Sequence, residues 1–153
     1  RSSSSCNICP FPIRMRTPYN PNQNPRVIII QKLYGKFFND DEDITFSKHR
    51  FKKSIKDVVL GTIERDDVIK EEVRNYLSED LELSNMDKVF QVIVKAAIFE
   101  FLYKPKISKK IIIKEYLDAS NFFLEDSQTK YLNAILDKIA KKIRNTNAWI
   151  WFN

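Results

Sequence analysis

Apolar residues recur every three or four positions along most of this chain, the spacing that gathers them on one face of an α-helix. The first such run begins at Asn24-Pro25, where Asn suits the N-cap and Pro the first helical position. It carries Ile30, Leu33, Tyr34 and Phe37, and residues 39–43 (NDDED) end it as an acidic loop. A second run holds Phe51, Ile55, Val58, Val59 and Ile63, and a third holds Ile69, Val73, Tyr76 and Leu77. Ser84-x-x-Asp87 has the form of a capping box and predicts the start of a fourth helix. That helix is apolar almost all round (Val89, Phe90, Val92, Ile93, Ala96 to Phe99, Phe101, Leu102), which predicts a central position. Lys104-Pro105 stops it. Ser108 suits the cap of a fifth helix bearing Ile112, Tyr116 and Phe123. A sixth starts near Asp126-Ser127 and aligns Leu132, Ile135, Leu136, Ile139 and Ile143. The expectation is one all-α domain over residues 25–144, preceded by a disordered Ser-, Pro- and Asn-rich arm at 1–24. Residues 145–153 form a tail whose aromatic end, 149–152, has no clear period.

Composition narrows the chemistry. At 153 residues and 43% hydrophobic, the chain is large enough for one self-sufficient core. Two glycines leave no Gly-rich phosphate loop, and a single histidine, His49, excludes most His-based metal sites and weakens a catalytic triad. Cys6 and Cys9 form a C-x-x-C, but with no other Cys a zinc set cannot be completed within one chain. We therefore expect no enzyme, no metal and no cofactor. The longest apolar stretch, residues 90–103, is broken by Gln91, Lys95 and Glu100, so no membrane helix is expected. The N-terminus lacks the apolar core of a signal peptide, and the cytoplasm is the default location. Its Ser and Arg content, with no acid before Asp40, keeps a plastid as a minor alternative. Met15 is an alternative start that would leave residues 1–14 outside the native protein.

Charge adds a direction. The net +6 is uneven: residues 64–82 hold eight acids against three bases, whereas residues 85–153 hold twelve bases against seven acids. Lys104, Lys106, Lys109, Lys110 and Lys114 have no acid among them. One face for an anion and another for solvent would explain this, and so would lysines that simply solvate helices.

Specific residues then carry a resemblance. The stretch AIFEFLYKPKISKKIIIKE (residues 97–115) and the later EDSQTKYLNAILDK (125–138) closely resemble the NusB family of bacterial transcription antitermination factors. The family pattern runs approximately A-[LIY]-Y-E-L-L-Y, P-x-K-V-x-I-N-E and E-D-S-x-K-[FY]-[VI]-N-[GA]-[VI]-L-D-K. Residues 25–34 (PRVIIIQKLY) look like the family's first helix, residues 55–61 fit its second helix loosely, and Met86-Asp87 fits the opening of its fourth. The resemblance covers residues 25–143. It implies an all-α fold of two three-helix subdomains without catalysis. It also implies binding of single-stranded boxA RNA with the ribosomal protein NusE, within an RNA polymerase complex that reads through terminators, notably in ribosomal RNA operons. Some family members form homodimers that hide the RNA surface, and the sequence leaves that state open.

The resemblance also proposes residues. Tyr131 takes the family's aromatic position after Lys130, where a ring can stack on an unpaired base; periodicity alone places it at the edge of the core stripe. Lys130 and Gln128 are candidates for phosphate or base edges, and Asn133 matches a family Asn. Asp126 and Ser127 are alternatively caps. Arg26 corresponds to the last arginine of a basic N-terminal run, Lys95 stands where the family often has Arg, and Tyr34 lines the RNA surface or the core. Phe90 and Gln91 replace a common Glu-Arg pair at the NusE-facing surface, implying either a more apolar partner interface or a repacked core.

Departures from the pattern bear on function. The N-terminal basic run is replaced by residues 20–24 (NPNQN), and Lys114 replaces an Asn. Ser127 and Tyr131 are separated by one residue more than in the pattern. These features support, as an alternative, a protein-interaction module of the same fold with weakened RNA binding. A third possibility, the RNA-binding part of an RNA methyltransferase, lacks any Gly-rich cofactor segment to support it.

Overall fold

The computed structural model describes residues 24–38, 46, 51–77 and 86–151, with side chains placed as far as residue 143. These residues form six helices: α1 (Pro25–Phe38), α2 (Lys52–Glu64), α3 (Asp66–Tyr76), α4 (Lys88–Tyr103), α5 (Lys109–Ser120) and α6 (Asp126–Trp151). The expected acidic loop at 39–43, Ser84, His49, Cys6, Cys9 and the arm at 1–23 lie outside the described residues.

Local chemistry explains most helix ends. The Asn24 side-chain oxygen accepts the Arg26 N–H at 2.9 Å, so Asn24 caps α1 with Pro25 at its first position. Only Arg65 separates α2 from α3, and its N–H donates to the Gly61 carbonyl at 2.9 Å. Asp66 and Asp67 then open α3 and Arg74 closes it, each sign at the favoured end of the helix dipole. At α4 the Lys104 N–H bonds the Glu100 carbonyl at 2.9 Å before Pro105 prevents continuation. Ser108 has the extended backbone of an N-cap but makes no side-chain capping bond. At α6, Gln128 rather than Asp126 or Ser127 closes the box: its Oε1 faces the Glu125 N–H at 3.5 Å. Helix α6 also runs on through the tail region to Trp151.

Helix α4 is the hub, packing against all five other helices. Every residue from Val92 to Phe101 is buried, as its all-round apolar pattern requires. The buried side chains of all six helices join in one core cluster, including Ile30, Leu33, Ile69, Tyr116, Leu132 and Ile139. One expected core member sits elsewhere: Phe51 occupies the N-cap of α2, outside the helical register, and is 43% exposed, whereas Ile63, like Phe37 and Leu102, is partly buried against the core. Among the described residues no helix is long and apolar enough to cross a membrane, and no cluster of His, Cys, Asp or Glu could hold a metal ion.

Candidate nucleic-acid interface

The N-terminal end of α4 and the first turns of α6 meet at a pair of rings. Phe90 is 2% exposed and holds Tyr131 with a centroid separation of 5.6 Å and a 35° tilt. Tyr131 itself is 41% exposed. It is therefore fixed from below by an apolar ring and open to solvent above, the form a stacking platform needs. Beside it the Gln128 amide donates to Asp87 at the N-cap of α4, which ties the start of α6 to the start of α4.

Two further residues flank this end of α4, and the sequence reading missed both. The Lys88 ammonium lies 5.2 Å from the centroid of the Phe38 ring, and that ring packs on Tyr34 at 5.1 Å. Phe38 ends α1 and is 38% exposed. The adjacent Phe37-Phe38 pair was the available signal: one helical face can bury only one of two successive residues, so the other must emerge. Phe37 turns inward, where the Lys95 ammonium lies 4.5 Å from its centroid.

The candidate site residues separate into two groups. Lys130, Tyr131 and Asn133 are exposed on α6 and Gln128 is half-buried. At 3.6 residues per turn, however, Tyr131 and Asn133 lie about 160° apart around the helix. Asn133 thus belongs to the opposite edge of the exposed face, with Lys130 between them.

The remaining candidates are buried or half-buried and are engaged by groups of the chain itself. The Arg26 guanidinium grips the buried Glu100 carboxylate, through Nη2 at 2.7 Å and Nε at 3.1 Å, and lies 5.7 Å from the Tyr116 ring centroid. The Tyr116 hydroxyl donates to the same carboxylate. Burial works against the Arg26 charge most strongly; Glu100, Tyr116 and Glu115 together outweigh it and raise its pKa. Arg26 is therefore a cation that joins α1 to α4. Lys95 is likewise 8% exposed and faces Asp66 at 3.5 Å. Burial lowers its pKa, with Asp66 opposing. Tyr34 packs in the core because its ring lies in the buried stripe of α1. Phe90 is buried too, so its exchange for a family Glu repacks the core beneath Tyr131 and does not present an apolar surface to a partner. The Gln91 amide donates to the Met86 carbonyl at 3.0 Å, which turns it to local backbone.

Comparison with known proteins follows the same lines. The NusB family model matches residues 23–141. Among curated relatives, a protein named Transcription antitermination protein NusB from Rickettsia bellii is 34% identical over 107 residues, 68% of this chain and 69% of that protein. Proteins of the same name from Mesorhizobium japonicum and Agrobacterium fabrum are 28% and 34% identical over 87 residues, 57% of this chain and 56% and 53% of theirs. The chain thus spans little more than half the length of several relatives it matches. Among solved structures, NusB of T. maritima superposes with a TM-score of 0.68 at 23% identity, covering 81% of this chain and 93% of that one, which shows the fold. With a family model matched over residues 23–141, from the cap of α1 well into α6, this chain is a member of the NusB family.

Proposed function

We propose that this protein is a non-enzymatic RNA-binding factor that promotes transcription antitermination. In this reading it engages a boxA-type single-stranded RNA together with ribosomal protein NusE, within an RNA polymerase complex acting on ribosomal RNA operons. The observation that carries the reading is the half-exposed Tyr131 ring seated on buried Phe90, with Lys130 next to it on α6. An unpaired base can stack on such a ring whatever its identity, and a neighbouring lysine can neutralise its phosphate. Membership of the family, and the names of the curated relatives, support the antitermination role.

The test is binding of a boxA-like RNA to the full chain, with and without NusE, at low and high salt. A ternary complex that forms only with RNA is expected. Tyr131→Ala should cost on the order of 1–3 kcal/mol of RNA binding if the ring stacks. Absence of any RNA-dependent ternary complex would sink the proposal.

One observation favours a second reading, a protein-interaction module with weak RNA affinity. Arg26 and Lys95 are both paired with carboxylates of the chain itself, which weakens what either offers a phosphate. Each phosphate contact on a single strand adds about 0.7 to the salt slope, so Lys130 as the one remaining candidate cation would give a shallow slope of about −0.7. Affinity for boxA-like RNA no greater than for random RNA, alongside tight NusE binding, would favour this second reading.

A further inference from the structure

On the other end of α4 from Tyr131, an open groove of about 690 Å³ runs between α2 and the helix's last turn. Lys53, Lys56, Asp57, Leu60 and Glu64 line it along one stripe of α2, and Tyr103 forms its far wall. Its middle is apolar and open: Leu60 is 43% exposed and Tyr103 41%. Phe99 forms the floor because Gly61 leaves room for it; a Cβ at position 61 would lie 2.3 Å from the Phe99 ring.

We propose that this groove docks an acidic, leucine-bearing peptide segment of a partner protein. Charge complementarity sets the sign. The groove's two carboxylates are already used, Asp57 by Lys104 and Glu64 by Arg65. Lys53 and Lys56 have no carboxylate partner among the described residues, so the groove carries surplus positive charge at one end. An aliphatic side chain fits between Leu60 and Tyr103 while acidic neighbours reach the two lysines.

RNA fits this site less well than Tyr131. The Tyr103 ring already carries the Arg65 guanidinium 4.9 Å from its centroid and lies 4.9 Å from Phe99, so an incoming base must compete with both. A second copy of the chain is disfavoured as well: its groove would bring the same surplus of lysines and only carboxylates that are already paired. The groove is also separate from the RNA platform: Phe90 and Tyr103 lie thirteen residues apart on α4, about 20 Å along its axis.

The probe is a fluorescein-labelled peptide of alternating Glu and Leu, read by fluorescence anisotropy with the full chain. A Lys-Leu peptide and a uridine-rich oligonucleotide are run beside it. The Glu-Leu peptide should bind in a salt-sensitive way and the Lys-Leu peptide should not. Lys53→Glu with Lys56→Glu, and separately Leu60→Glu, should each weaken the peptide by about tenfold or more, leaving boxA-like RNA binding unchanged. Because all three substituted side chains are exposed, circular dichroism melts should match the parent. Tyr131→Ala should weaken RNA and leave the peptide untouched, so failure here and failure of the RNA reading are separable. The proposal is overturned by no peptide binding, or by binding indifferent to the groove variants. It is equally overturned if the oligonucleotide loses as much affinity as the peptide in those variants. Sedimentation showing a dimer that Leu60→Glu dissolves would assign the groove to a second copy. Peptide binding that emerges only when acids 40–43 are neutralised would assign it to the chain's own acidic run.

Discussion

Arg26 and Glu100, 74 residues apart in sequence, meet through two hydrogen bonds, one from each of two guanidinium nitrogens to a different carboxylate oxygen. The Glu100 side chain is 1% exposed, and Tyr116 donates a third bond to it. One carboxylate thus pins α1, α4 and α5 together. Arg26→Ala should destabilise the fold by about 3–5 kcal/mol, because it leaves a buried charge unpaired. Arg26→Lys should recover only part of that, since an ammonium cannot reproduce the planar fork. Urea unfolding midpoints at constant slope would measure both.

The same cluster predicts a response to alkali. Burial first, and then the charge of Glu100, hold the Tyr116 hydroxyl well above its ordinary value of 10.0. Between that value and the raised folded value the native state keeps a proton that the unfolded chain has lost. The stabilisation is therefore complete below about pH 10 and is lost as pH rises above it, at up to about 1.4 kcal/mol per pH unit. Tyr116→Phe should flatten the decline above pH 10 while costing about 1–2 kcal/mol at neutral pH through its lost hydrogen bond. Chemical denaturation across an alkaline series would show the change of slope.

Gly61→Ala sets helix propensity against packing. The substitution should gain about 1 kcal/mol in an unobstructed helix. Here the new methyl would meet the Phe99 ring at 2.3 Å, and overpacking costs about 1–3 kcal/mol. Net destabilisation is expected, and a double-mutant cycle with Phe99→Leu should return part of it. Thermal melts of the four proteins suffice.

Phe90 and Tyr131 should separate support from contact. Phe90→Ala empties a fully buried position and should cost about 3–5 kcal/mol of stability. Tyr131→Ala removes a ring that is nearly half exposed and should cost far less in stability, its main effect falling on RNA affinity. Comparable stability losses in the two variants would return Tyr131 to a purely structural role.

The fold was readable in the sequence because helix registers are local. Spacing, with the cap and stop signals, located the six described helices, although Phe123, expected on the fifth, lies in the turn after Ser120; the nearly all-round apolarity of residues 89–102 marked α4 as central. The site was less readable because ion pairs are not local. Arg26 and Lys95 had the residue type and the position expected of RNA contacts, yet their partners, Glu100 and Asp66, come from other helices. No periodicity announces such a pairing. Tyr131 was the reverse case: its place at the edge of the α6 stripe already implied a ring partly outside the core, and it is. Lys88 and Phe38 were missed because they lie at helix ends, where one turn decides which way a side chain faces.

The position of α4 has a consequence for synthesis on the ribosome. It follows three of the described helices and precedes two, and it is apolar on nearly every side. Helices α1 to α3 can cover it from one direction at once, but α5 and α6 pack on it too, with Tyr116 against Glu100 and Tyr131 against Phe90. A nascent chain halted near Tyr103 therefore carries a greasy stripe with nothing to cover it, the condition in which chaperones are recruited and chains aggregate. A chain ending at residue 104 should bind a hydrophobic dye strongly and precipitate on standing. Extension through residue 143, which adds the α6 core side chains from Leu132 to Ile143, should abolish both behaviours together.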